Sequence, residues 1–191
     1  MIELQHTNLK FYITDDSQVD PEEWNPVFQT WIQNKVSEEV LIDVADYLHV
    51  PEGPGMVLVG LEADYALDQS DGRWGLKYNR KAPLDGSNQD RLLRAFKTTL
   101  EGCDRIEQNE ILKGKVKFRT DEFEIFFNDR GLVPNTPETL KASQPELESA
   151  LEKLIPGKGF SLEPVTDPRE RFGVTVKISQ ACSIQDLLKN L

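Results

Sequence analysis

The chain has 191 residues, with 33 Asp and Glu against 22 Lys and Arg for a formal net charge of −11, and a mean hydropathy of −0.48. No apolar run approaches the ~18–20 residues of a membrane span, and Met1-Ile2-Glu3 begins neither the basic region nor the apolar stretch of a signal peptide. A charge this negative argues against a broad phosphate-gripping surface, so neither nucleic acid nor a membrane is the expected partner.

The acidity is uneven. Residues 1–72 hold 15 acids against two bases, Lys10 and Lys35, a net of −13, and residues 73–191 carry a net of +2. The plain reading is a solvated face that keeps the protein soluble. The sharper reading is a cation site or a surface for a basic partner. Cys103 and Cys182 belong to no C-x-x-C pair, so neither a zinc knuckle nor a disulfide framework is read from them. With no export signal, two buried free thiols predict a cytoplasmic protein.

Leu9, Phe11 and Ile13 alternate with polar residues and predict a half-buried strand over 8–14. Asp20-Pro21-Glu22-Glu23 follows as a helix start, with Trp24, Val27, Phe28, Trp31 and Ile32 on one helical face. Strands are then expected at 40–45, at 56–61 and at 74–78. The middle one is apolar on both faces, compatible with a homodimer contact and equally with burial inside one chain. Asp71-Gly72 signals a hairpin turn.

Ser87 and Asp90 fit a capping box opening a helix through Leu92, Phe96, Leu100, Cys103 and Ile106. Val116–Phe118 and Phe123–Phe127 read as the two arms of a hairpin around Thr120-Asp121. A helical stretch from Thr136-Pro137 is expected to break and restart at Ser143-Gln144-Pro145, and to end at Pro156-Gly157. Strands at Phe160–Leu162 and Val174–Ile178 precede a short helix capped by Ser183. The order is roughly βαβββα-ββαββα. Neighbouring strand pairs predict an α+β fold, with a mainly antiparallel sheet and helices packed on one side. One compact domain, 1–191, is the default at this length. Two loosely alike lobes, 1–106 and 107–191, from a diverged duplication are the alternative.

No phosphate-binding glycine loop, G-x-S-x-G elbow or H-E-x-x-H occurs. The acid-rich loop 64–72 fails the calcium-loop template, because Leu67, Gln69 and Tyr78 occupy ligand positions. Two constellations remain. His49 stands among Asp46, Tyr47, Glu62 and Asp64, around the rigid loop Pro51-Glu52-Gly53-Pro54-Gly55. A histidine beside carboxylates is a general acid/base or, with Asp46, Glu62 and Asp64, a divalent-metal ligand set. Arg73, Arg80 and Lys81 form a cationic group suited to an anion, or else to ion pairs across the hairpin.

The absent catalytic signatures favour a non-catalytic ligand- or protein-binding function. An enzyme on a small substrate, with His49 catalytic and a divalent metal in support, is the alternative. Asp46, Tyr47, Arg73, Arg80 and Lys81 are the expected ligand-binding residues, and no cofactor is specified by any motif.

Overall fold

The computed structural model describes residues 2–191. Eight strands form one antiparallel sheet: β1 (Thr7–Ile13), β2 (Leu41–Tyr47), β3 (Gly55–Gly60), β4 (Ala63–Asp68), β5 (Gly75–Arg80), β6 (Phe118–Phe127), β7 (Phe160–Pro164) and β8 (Gly173–Ile178). Their spatial order is β2-β3-β4-β5-β1-β6-β8-β7, so the first strand lies in the interior, paired with β5 on one side and β6 on the other. All seven of its residues are buried. The expected α+β class with an antiparallel sheet is therefore what the chain adopts. Among the described residues, no helix is long and apolar enough to cross a membrane.

The helices are α1 (Trp24–Asn34), α2 (Asn88–Gln108), α3 (Pro137–Leu154) and α4 (Ile184–Leu188). They share one face of the sheet, because strand alternation sends one apolar set that way: Leu9, Phe11, Leu76, Tyr78, Phe123, Ile125, Val174 and Val176. Phe96 of α2 meets Phe123 edge-on at 5.9 Å, and Phe123 stacks on Phe11 at 4.7 Å. At the other end Trp31 of α1 meets Tyr65 at 5.5 Å, and Tyr65 meets Tyr78 at 5.4 Å. Helix α2 starts with the expected box: the Ser87 hydroxyl accepts from the Asp90 amide, and Asp90 accepts from the Ser87 amide.

Three expectations require correction. The acidic loop expected over 64–72 is strand β4 as far as Asp68, with only the residues after it forming the turn. Ala63, Tyr65 and Leu67 of β4 enter the core while Asp64, Ala66 and Asp68 face away. The hairpin expected between 116 and 127 is one ten-residue strand, β6. Its apolar phase changes because Phe11 pairs with Phe123 while Ile13 pairs with Phe118, a bulge that holds four β6 residues against one of β1. Helix α3 runs unbroken past Pro145, since Thr139, Ser143, Leu147, Ala150, Leu151 and Leu154 form one continuous buried stripe. That burial offsets the roughly 3 kcal/mol an interior proline costs. Strand β3 is covered on its helix face by burial of Met56 and Leu58, but Val57 and Val59 on the other face are only half-buried.

Candidate functional site

The sheet face without helices carries the polar alternates of the same strands, and the register sorts them into rungs. One rung runs Ala66–Lys77–Lys10–Glu124–Thr175 from β4 to β8. The next toward the β4–β5 turn runs Asp68–Gly75–Tyr12, and the one on the other side runs Asn79–Asn8–Phe126–Gly173. Two segments overhang these rungs. The β4–β5 turn brings Ser70 and Asp71 over one side, and the β7–β8 loop brings Val165, Glu170 and Arg171 over the other. Between them lies a trough of about 500 Å³, within the ~300–1,000 Å³ typical of small-molecule sites.

Glycines let the floor close up. A Cβ on Gly75 would lie 2.9 Å from Lys10 Cε and 2.7 Å from the Phe11 carbonyl oxygen, so the lysine stem lies across a position with no side chain. A Cβ on Gly173 would lie 2.8 Å from Phe126 Cβ, which leaves the aromatic ring room on the floor.

The Lys10 ammonium, only 2% exposed, donates to Asp68 Oδ1 at 3.0 Å and to Asp71 Oδ1. Asp71 also accepts the Tyr12 phenol proton at 3.0 Å, and the Arg73 guanidinium stacks 3.5 Å above the Tyr12 ring. Burial, then the negative charges of Glu124 and Asp71, push the Tyr12 phenol up, so it stays a proton donor. Burial pushes the Asp68 carboxyl up as well. The charges of Lys77 and Lys10, with hydrogen bonds from Ser70 and Lys10, outweigh it and hold Asp68 below the usual carboxylate range.

The cations on the opposite side are less well matched. Lys77 reaches Asp68 Oδ2 only at 3.4 Å, an oxygen that Ser70 already contacts at 2.9 Å. Burial pulls the Lys77 ammonium below its ordinary pKa against the raising effect of the Asp68 carboxylate, and the nearby charges of Arg171 and Lys10 add to the lowering. Arg171 lies 4.5 Å from the Phe126 ring centroid and donates to Asn128 Oδ1 at 2.5 Å. Among the described residues no carboxylate stands within ion-pairing reach of it, and burial lowers its pKa too. The trough thus holds a closely paired group around Lys10 and, about the Phe126 ring, two desolvated cations, of which Lys77 is held by Asp68 at the longer distance and Arg171 by no carboxylate.

The residues expected from the sequence lie elsewhere. His49 is exposed in the β2–β3 turn, and Asp46 beside it accepts the Leu48 amide at 2.8 Å. Tyr47 is 43% exposed. Glu62 and Asp64 sit at the other end of the β3 ladder, where Asp64 accepts from Lys81 Nζ at 2.7 Å and from the Gly60 amide at 3.0 Å. Asp46 is level with Met56, while Leu41 is level with Gly60. Four rungs, roughly 13 Å of strand, therefore part the two halves of the expected metal set. No group of three or more His, Cys, Asp or Glu placed to hold a metal ion occurs among the described residues. The expected cationic group is divided in the same way. Arg73 pairs with Glu122 at 2.7 Å near the β4–β5 turn, while Arg80 pairs with Glu39 at 3.1 Å and Lys81 with Asp64 at the far end of β5.

Sequence reasoning missed Lys10, Tyr12, Asp68, Glu124 and Arg171 as a set. The one available signal was a lysine between Leu9 and Phe11 in the most apolar part of a strand, and it reads as solvent-facing unless the strand is known to be interior. Comparison of the chain with family models, with curated proteins and with solved structures gives no match, so the chemistry of the trough is argued from its own residues.

Proposed function

We propose that this protein is a non-catalytic binding protein that holds a small ligand in the open-face trough, gripping its anionic group between Lys77 and Arg171. One observation carries the reading: two desolvated cations, Arg171 with no carboxylate in ion-pairing reach and Lys77 held by Asp68 only at 3.4 Å, flank Phe126 in a trough of about 500 Å³. A buried cation lacking a matched anion is held at a cost, and an incoming carboxylate or phosphate removes that cost. Lys10 is already matched by Asp68 and Asp71, so it shapes the floor rather than taking the ligand. An enzyme built on His49 has less support, because that ring is exposed and, of the acids expected to serve it, Glu62 and Asp64 lie at the other end of the β3 ladder while only Asp46 is beside it.

The test is a thermal-shift and calorimetric screen of phosphate, sulfate, citrate and short carboxylates at low ionic strength, on the parent protein, Arg171→Ala and Lys77→Gln. The reading expects at least one anion to stabilise the parent and to bind each variant about tenfold or more weakly. Equal stabilisation of all three proteins would remove the trough from the reading.

A further inference from the structure

The trough is not simply cationic. Glu124 stands in the middle rung of its floor, between Lys10 on β1 and Thr175 on β8. Its strand neighbour Glu122 is held by Arg73 at 2.7 Å and by Arg119 at 3.4 Å. Among the described residues no lysine or arginine nitrogen lies within ion-pairing reach of Glu124 itself. Lys10, its cross-strand neighbour, turns instead to Asp68 and Asp71. The Tyr12 phenol gives its proton to Asp71 and lies beside Glu124 as its polar neighbour. Once these internal pairs are set aside, the trough offers a carboxylate with no cation of its own beside the Tyr12 phenol, together with a guanidinium that has no carboxylate of its own and a weakly paired ammonium.

We infer that the ligand is a small zwitterion, a single molecule carrying a primary ammonium for Glu124 and a carboxylate for Arg171 and Lys77, as a free amino acid or short peptide does. The inference rests on the anion-binding reading above and adds the second pole. A plain anion would satisfy the wall and leave its remaining charge facing Glu124, a like-charge contact that selects against it. A zwitterion meets both poles and brings no net charge into a cavity that already holds both signs. Phe126 and Val165 give the same wall an apolar stretch for the ligand's carbon skeleton.

The experiment titrates the protein with leucine, alanyl-leucine, N-acetyl-leucine, leucinamide, succinate and phosphate, reading calorimetry and thermal shift. Tighter binding of leucine or alanyl-leucine, with N-acetyl-leucine and leucinamide at least about tenfold weaker, supports the inference. Which of the first two binds better separates an amino acid from a peptide. N-acetyl-leucine, succinate or phosphate binding as well as leucine overturns the zwitterion and leaves the anion site standing. Binding by none of the six overturns both. In Glu124→Gln, leucine is expected to lose its advantage over N-acetyl-leucine, while N-acetyl-leucine is not weakened. An unchanged leucine affinity, or an equal loss for both, contradicts the assignment of Glu124.

Discussion

The Lys10 ammonium lies 3.0 Å from Asp68 Oδ1 with the two side chains 2% and 1% exposed, although both project from the face of the sheet that no helix covers. Burial there comes from their own neighbours, the stem of Lys10 over Gly75 and the β4–β5 turn folded back over the ammonium. A buried pair contributes little net stability against a well-packed apolar alternative, but losing one partner strands the other charge. Asp68→Asn and Lys10→Met are each expected to destabilise the fold by about 3–5 kcal/mol, with Lys10→Met/Asp68→Leu less destabilised than the sum. Urea denaturation of the three variants checks this. Losses below about 1 kcal/mol for the single variants would show that water reaches the pair.

The same pair sets a pH dependence. Asp68 has a folded-state pKa below its ordinary 3.8. Its contribution is therefore complete above that value and is lost as pH falls through the lower folded value. The urea midpoint of the parent is expected to drop more steeply below about pH 4 than that of Asp68→Asn. Parallel curves would mean that Asp68 keeps an unshifted carboxyl.

Gly75 supplies the space that Lys10 uses. Gly75→Ala puts a methyl 2.7 Å from the Phe11 carbonyl oxygen and 2.9 Å from Lys10 Cε. It is expected to cost about 1–3 kcal/mol in thermal or urea unfolding. A neutral result would show that the β1–β5 spacing relaxes freely.

At the start of α2, Ser87→Ala removes an N-cap acceptor and one half of the capping box. About 1 kcal/mol is expected from denaturant unfolding. A change within about 0.3 kcal/mol would assign the helix's stability to tertiary packing alone.

These residues also show where the sequence could and could not be read. Periodicity located α1, α2 and the strands around Leu9, Val57 and Val176, because those patterns come from local burial. Ser87 and Asp90 were legible because a capping box is a contact over three residues. Strand β4 was not. Asp64 and Asp68 resemble turn acids until it is known that Lys81 and Lys10, both distant in sequence, receive them. The bulge in β6 mimicked a hairpin because a phase change in apolar pattern looks the same whether the chain turns or only bulges. The trough was the least legible feature. Lys10, Lys77 and Glu124 become neighbours only through the order in which β5, β1 and β6 pair, and Arg171 arrives from the β7–β8 loop. The acid-rich stretch before Gly72 suggested chemistry around His49. In the structure those acids are divided among turns, ion pairs and, in Asp68 and Asp71, the wall of the trough.

The central claim is that small ligands enter the open-face trough through their anionic group. Amide chemical-shift mapping with 15N-labelled protein and the screened anions tests it most directly. The account predicts perturbations centred on Lys10, Lys77, Glu124, Phe126, Arg171, Gly173 and Thr175, and their loss in Arg171→Ala. Perturbations centred on Asp46, Tyr47 and His49, or persisting unchanged in that variant, would contradict it.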